Sequence, residues 1–525
     1  MDSLVSQSFQ KSLDLLEQSG TVGTLTGIQR GIEKEGLRTT PAGELSQSAH
    51  PSALGSALTH PSITTDFSEA LLEFVTPVMS TPELAISFLE DLHRFTYEVL
   101  DNEVIWSSSM PCFLGGESSI PIAQYGKSNV GMMKHIYRVG LEHRYGKRMQ
   151  TIAGIHYNFS LPDDFWTSYR SAAASTASDR DFRDEQYFGL IRNFRRNAWL
   201  LLLLFGASPA VCGSFLEGLD HKLQRLKGQG YFLPWATSLR MGDLGYTSDA
   251  QSNFRVCYNS VDTYTSTLGQ ALNMSYPPYE KIGVKEDGHY LQLNDRLLQI
   301  ENEYYSDVRP KRVTPSGIHP SSYLKQHGVQ YIEVRNLDLN PFLPVAIDST
   351  QARFLDSFLL YCLLQSSPQI SDSEYAINNQ NKTSIITEGR KPGLKLNRDG
   401  EPIEAFQWAS DLMDGIGETA NLLDKSHGND LHTLAVKAQR NKLVQPELFP
   451  SAQILDLAVT EKISFSELGM RLSSQHKNYF KDSLPNDKKA ELDKISIESL
   501  EKQKQIEDSD AVDFDNYLST YFERN

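Results

Sequence analysis

Polar and apolar side chains alternate over residues 27–38, GIQRGIEKEGLR. Read as a strand, the stretch places Glu33, Glu35 and Leu37 on one face and Ile28, Arg30, Ile32 and Lys34 on the other. The two-residue period recurs downstream. At 68–76, Leu71, Leu72, Phe74 and Val75 carry a single acid, Glu73, and Asp66 precedes them. In IHYNFS, His156, Asn158 and Ser160 oppose Ile155, Tyr157 and Phe159. Glu301, Glu303 and Tyr305 share a face at 297–306, and Tyr331, Glu333 and Arg335 oppose Ile332 and Val334 at 329–337. Strands with one apolar and one polar face predict an antiparallel sheet with one side on the core. Its polar side collects acids, Tyr, Asn, His and Arg rather than the Lys, Ser and Thr of a solvated face.

Helical spacing marks other segments. Leu4, Phe9, Leu13 and Leu16, with Gly20 as a stop, predict a docking helix. Thr81-Pro82-Glu83 opens a helix to about Leu100, with Leu84, Phe88, Leu92 and Phe95 as its core face. Another covers about 181–205, while 107–131 reads as an irregular loop. From 350 onward the pattern is helical: STQARFLDSFLLYCLLQ, then 404–425, 429–441, 451–474 and a charged amphipathic tail from Leu484 that reads as a brace. The expected fold is α+β, a catalytic antiparallel-sheet core over 1–349 with a mainly helical subdomain, 350–525, packed on it.

Composition narrows the function classes. The net charge of -16 argues against wholesale binding to nucleic acid or an anionic membrane. Any polyanion must be held locally, by a metal or a few placed Arg and Lys. The four cysteines are far apart and show no CxxC spacing, so neither a zinc module nor a dense disulfide framework is expected. The most apolar run, 198–211, falls short of the ~20 residues a membrane span needs and contains Pro209. With no basic-then-apolar leader, a reduced cytoplasmic enzyme is the expectation. Gly126-Lys127-Ser128 lacks the phosphate-loop glycine five positions earlier, where Pro121 stands. Gly415, Gly417 and Ala420 follow a helical pattern and no strand, so they are no dinucleotide fingerprint.

Two carboxylates on one strand face repel by about 1–4 kcal/mol at close range. On one strand that is compatible with solvated glutamates. Repeated on neighbouring strands, it points to hard divalent cations, since Mg²⁺ takes carboxylate oxygens and keeps positions for water and phosphate. Arg309, Lys311 and Arg312 follow the 297–306 segment, and EGRKPGLKL, with Lys391, is a second basic stretch; both are candidates for nucleotide phosphates.

The stretches GIQRGIEKEGLR, HPSALGSALTHPSITTDFSEALLEFVTP, QTIAGIHYNFSLP, QIENEYY and YIEVRNLDLNPF together resemble proteobacterial glutamate–cysteine ligases, over roughly 25–395. The resemblance implies a curved antiparallel sheet like that of glutamine synthetase, forming a funnel around ATP and metals. It implies ligation of L-glutamate, through its γ-carboxylate, to L-cysteine by way of a γ-glutamyl phosphate, the first step of glutathione biosynthesis. Glu33, Glu35, Asp66, Glu73, His156 and Glu333 match positions for more than one Mg²⁺, with Mn²⁺ as a substitute, and Arg335 matches the arginine beside the transferred phosphoryl group. Gln150, Asn158, Arg240, Tyr246 and Tyr305 lie in stretches lining the amino-acid pockets. Lys34 stands where an arginine is expected, and no cysteine pair supports a disulfide in the second half. A monomer acting on small molecules is expected. The alternatives are a ligase of the same fold with another amino-acid acceptor, or a non-catalytic metal or amino-acid binder.

Overall fold

The computed structural model describes residues 7–245, 249–252, 254–315 and 317–523. Its central sheet has seven strands. They are β1 (Gln29–Thr39), β2 (Ile63–Thr65), β3 (Leu71–Val75), β4 (Val104–Ile105), β5 (Ile155–Ser160), β6 (Val308–Lys311) and β7 (Tyr331–Leu337). The order is β6-β7-β5-β1-β3-β2, with β4 paired to the far end of β1, and every pairing is antiparallel. The sheet is open, and helices make up much of the remaining chain. Register carries the functional information: Glu33 pairs with His156, Glu35 with Glu73, and Glu333 with Asn158.

The apolar face follows the two-residue period. Ile32, Phe74, Tyr157, Phe159, Ile332 and Val334 are buried in one continuous core with the helices Asp179–Phe205 and Ser349–Leu364. Helix Gln7–Gln18 docks through Phe9, Leu13 and Leu16, as its spacing predicts; Leu4 lies outside the described residues. Lys34 also takes the apolar side, where its ammonium meets His93 Nε2 at 2.9 Å and burial lowers its pKa to about 7. Among the described residues no helix is long and apolar enough to cross a membrane.

Four sequence expectations change. Residues 297–306 form no strand: the chain turns through a short 3-10 helix, Glu301–Glu303. Glu303 is drawn inward by Arg144 (2.9 Å), Tyr145 Oη (2.7 Å) and the Gln299 amide (2.6 Å), and that pull is incompatible with an extended run. On helix Pro82–Val99, Leu92 and Phe95 are buried as expected, but in the first turns Ala85 and Leu89 take the inner positions, leaving Leu84 50% exposed and Phe88 half-buried. The loop assigned to 107–131 ends early, because Ser128 caps a helix, Asn129–Tyr145, by accepting from the Gly131 amide. The 451–474 segment is two helices, Pro450–Thr460 and Phe465–Tyr479, divided by a Ser464/Glu467 capping box.

One buried polar junction ties helix Ser349–Leu364 to the sheet. Asp356 accepts from Arg30 Nε of β1 and from the Tyr157 hydroxyl of β5, both at 2.7 Å, and is fully buried. Asp356→Ala should leave the Arg30 guanidinium buried without its counter-charge and cost about 3–5 kcal/mol of stability. Denaturant unfolding measures this directly, and a loss below 1 kcal/mol would mean that the junction relaxes without it.

Candidate active site

The polar face of the sheet floors a cleft of about 670 Å³. β1 contributes Glu33 and Glu35, β3 Glu73, β5 His156, and β7 Glu333 and Arg335; Asp66 stands between β2 and β3. These side chains converge because the register places them side by side on one face.

Two hydrogen bonds fix Glu33: His156 Nδ1 lies 2.9 Å from its Oε2, and Asn158 Nδ2 donates to its Oε1 at 2.9 Å. Ligand atoms of Glu33, Glu73 and His156 all fall within 4.8 Å of one another. On the other side, Glu333 receives two cations, Arg335 Nη1 at 3.0 Å and Lys311 Nζ at 3.3 Å. Arg335 Nη1 is 3.4 Å from His156 Nδ1, so the two groups of residues touch. Glu35 accepts from the Gly154 amide at 2.6 Å.

The carboxylates divide by charge state. Burial, then the charges of Glu33 and Asp66, lift the Glu73 carboxyl well above its ordinary pKa. Burial, then Asp66, pushes Glu35 up to about 8. Burial would also raise Glu33 and Glu333, but it is outweighed, at Glu33 by the His156 hydrogen bond and at Glu333 by Lys311 and Arg335, and both sit below the ordinary value. The Glu35–Glu73 side is therefore short of positive charge. A divalent cation is the group this donor set fits: it would take oxygen and imidazole ligands and relieve that repulsion.

Most residues singled out in the sequence meet in this cleft. Glu33, Glu35, Asp66, Glu73, His156, Glu333, Arg335, Gln150, Arg240, Tyr305, Arg309 and Lys311 all line it. Gln150 Nε2 donates to the Tyr305 hydroxyl at 3.0 Å, so these two form one wall. Asn158 stands behind the lining and acts on Glu33. Arg240 is almost fully buried, and its guanidinium donates to the carbonyls of Ala153 (3.1 Å), Arg335 (3.0 Å) and Leu337 (3.2 Å). It clasps the irregularity that β7 makes between Val334 and Leu337. Only glycine fits at 154, since a Cβ there would lie 1.9 Å from Arg240 Nη2. Arg309 Nη2 donates to the carbonyls of Asn302 (3.0 Å) and Tyr304 (2.5 Å) and so braces the neighbouring turn.

Two phosphate candidates are placed elsewhere. Arg312 donates to the Gly328 carbonyl at 2.5 Å, and Lys391 pairs with Glu388 at 2.8 Å on the surface; neither lines the cleft. Local partners hold both cations away from the acids. Tyr246 lies outside the described residues.

The sequence reading missed one whole wall. Val130, Met133, Lys134, Tyr137, Arg138 and Leu141 reach the cleft from helix Asn129–Tyr145. Their spacing is that of a single helix face, a signal present in the sequence. Lys134, its pKa lowered to about 8 by burial, adds a cation beside Glu73. Lys382, paired with Asp307 at 3.1 Å, also lines the cleft. So do Tyr517 and Tyr521, from the helix Phe514–Glu523.

Comparison with known proteins gives a consistent set of likenesses. The family model described as glutamate-cysteine ligase matches residues 13–385. A glutamate–cysteine ligase of Pseudomonas entomophila (strain L48) is 47% identical over 521 residues, covering 99% of this chain and 98% of that protein. One from Pseudomonas putida (strain W619) is 50% identical over 492 residues, 94% of each chain. Among solved structures, glutamate–cysteine ligase from Francisella tularensis in complex with AMP matches with a TM-score of 0.89 at 36% identity, covering 95% of this chain and 98% of that one. A bifunctional glutathione synthetase from Pasteurella multocida matches with a TM-score of 0.72 at 25% identity, covering 89% of this chain and 55% of that one.

Proposed function

This chain belongs to the glutamate–cysteine ligase family, and from that premise we infer that it joins the γ-carboxylate of L-glutamate to the amine of L-cysteine, using ATP and passing through γ-glutamyl phosphate. The products are γ-glutamylcysteine, ADP and phosphate. The observation that carries this reading is the pairing, in one cleft, of an acid–imidazole cluster, Glu33, Glu73 and His156, with the cation pair on Glu333, Lys311 and Arg335. A plain binder of amino acids has no use for both.

A carboxylate is a poor electrophile, so the amine can displace nothing until the γ-carboxyl carries phosphate as a leaving group. Bringing a carboxylate up to a triphosphate sets anion against anion, and the site must cancel that repulsion. Glu33, Glu35, Asp66, Glu73, His156 and Glu333 would hold Mg²⁺, or Mn²⁺ in its place; when bound, such cations neutralise the polyphosphate and orient it. Arg335 serves the transferred phosphoryl group. Its guanidinium is steadied by Glu333, while Arg240 holds its main-chain carbonyl. Lys311, beside Glu333, would take a terminal phosphate, and Gln150 with Tyr305, joined by a hydrogen bond, would face an amino-acid substrate. Positioning supplies much of the rate, and no nucleophilic side chain is required.

The open, antiparallel sheet is read here as one side of a glutamine-synthetase-like funnel, with 350–525 as a helical subdomain packed on the catalytic part. The enzyme is proposed to act as a cytoplasmic monomer. ADP release measured with ATP, Mg²⁺ and glutamate, with and without cysteine, tests the function. Cysteine-dependent ADP and γ-glutamylcysteine are expected. Preference for a different amine would move the protein to another acceptor, and ATP binding without turnover would leave only a binder.

A further inference from the structure

The reaction proposed above brings two amino acids into one cleft, and each carries an α-carboxylate that takes no part in the chemistry. That group stays charged above a sheet lined with acids, so it needs a cation of its own. The cation must also stand apart from the phosphate-binding pair, because an α-carboxylate brought to Arg335 would be activated in place of the γ-carboxylate.

Among the described residues, seven Lys and Arg side chains line the cleft. Six are already engaged. Arg335 and Lys311 flank Glu333. Arg240 and Arg309 donate to main-chain carbonyls. Arg138 donates to the carbonyls of Asp66 and Lys134, and Lys134 stands beside Glu73 with its ammonium 5.2 Å from the centre of the Tyr125 ring. The seventh is Lys382, from the helix Asp372–Glu388.

Lys382 Nζ lies 3.1 and 3.4 Å from the two oxygens of Asp307. An ammonium has three donors, so this pairing leaves at least one for a ligand, and the side chain keeps 24% of its surface exposed. Burial would raise the Asp307 carboxyl, but Lys382 and Arg195 outweigh it and hold the group below its ordinary pKa. With Arg195 also at hand, Lys382 can turn to a ligand without stranding a buried charge. Asp307 follows the wall residue Tyr305 by two positions, and its carbonyl receives the Arg335 amide at 2.8 Å. Through Asp307, Lys382 is therefore anchored on the segment that links the Gln150–Tyr305 wall to β6, next to the strand that carries Arg335.

We propose that the Lys382 ammonium, steadied by Asp307, receives the α-carboxylate of an amino-acid substrate bound in this cleft. The assignment rests on the ligase reading above. A point charge on a flexible stem, unlike the planar fork of Arg335, suits a carboxylate that only has to be held. A hydrogen bond between charged groups contributes about 10–100-fold in affinity.

The test compares Lys382→Met, which keeps the length and loses the charge, with Lys382→Arg, which keeps the charge. Lys382→Met should raise the KM for one amino acid about 10–100-fold and leave the KM for ATP unchanged, and Lys382→Arg should recover most of the loss. Decarboxylated counterparts tell which substrate is held. If it is cysteine, the inhibition constant of cysteamine, which lacks the carboxylate, should be the same in parent and Lys382→Met. If it is glutamate, the same should hold for 4-aminobutyrate. Unchanged KM values for both amino acids, an equal rise for ATP, or an equal loss of the decarboxylated counterpart would each overturn the proposal. Should the parent protein show no ligase turnover, the functional reading fails by itself. Equilibrium titration of glutamate and of cysteine into the parent and Lys382→Met then still decides the role of Lys382.

Discussion

Arg335→Lys should lower kcat by about 10²–10³-fold while the KM for glutamate stays within a few-fold. Arg335 and Glu333 project from one face of β7, 3.0 Å apart at their charged atoms. Burial alone would lower the arginine's pKa, but Glu333 and Glu33 outweigh it and keep the group charged. Lysine would retain the charge and lose the planar fork that holds two phosphoryl oxygens at once. Such a loss falls on the transition state, where charge spreads over those oxygens, more than on bound glutamate. Steady-state kinetics separate the two cases. A change confined to KM would make Arg335 an anchor for substrate.

Glu333→Gln should be nearly as damaging. The substitution preserves size and removes the charge on which Lys311 and Arg335 both lean. It also withdraws one of the carboxylates proposed to hold Mg²⁺. Turnover is expected to fall about 100-fold or more at saturating Mg²⁺. A cation bound only by the folded state stabilises it by mass action, so Mg²⁺ with ATP should raise the unfolding midpoint of the parent protein. In Glu333→Gln that rise should shrink. Near-normal turnover at limiting Mg²⁺ would remove Glu333 from the ligand set.

The strands that carry the acids were legible because burial on one side only forces a two-residue period. Glu33, Glu73, His156 and Glu333 could therefore be placed on one face before their neighbours were known. Residues 297–306 show the limit of that reasoning: alternation there is produced by a turn whose acid, Glu303, is claimed by Arg144 on a distant helix. Helix Asn129–Tyr145 escaped for the opposite reason. Its periodic face points into the cleft and carries Lys134 and Arg138, so it lacks the apolar stripe of a core helix. Arg240, expected in a stretch lining an amino-acid pocket, does line the cleft, and its guanidinium also donates to the carbonyls of Ala153, Arg335 and Leu337, contacts that sequence separation hides. The return of Tyr517 and Tyr521 to the cleft depends on contacts with His319 and Asn129, far away in the chain, and no local pattern records them.

The most direct test of the mechanism follows one oxygen atom. A ligase that activates glutamate as an acyl phosphate must pass a γ-carboxylate oxygen to the phosphate it releases, whereas an adenylating enzyme would leave that oxygen in AMP. Glutamate labelled with ¹⁸O in its side-chain carboxylate is supplied with ATP, Mg²⁺ and cysteine, and the products are read by mass spectrometry. One labelled oxygen in inorganic phosphate and none in nucleotide is the expected result. Unlabelled phosphate formed alongside γ-glutamylcysteine would contradict the acyl-phosphate route, even with the ligase activity intact.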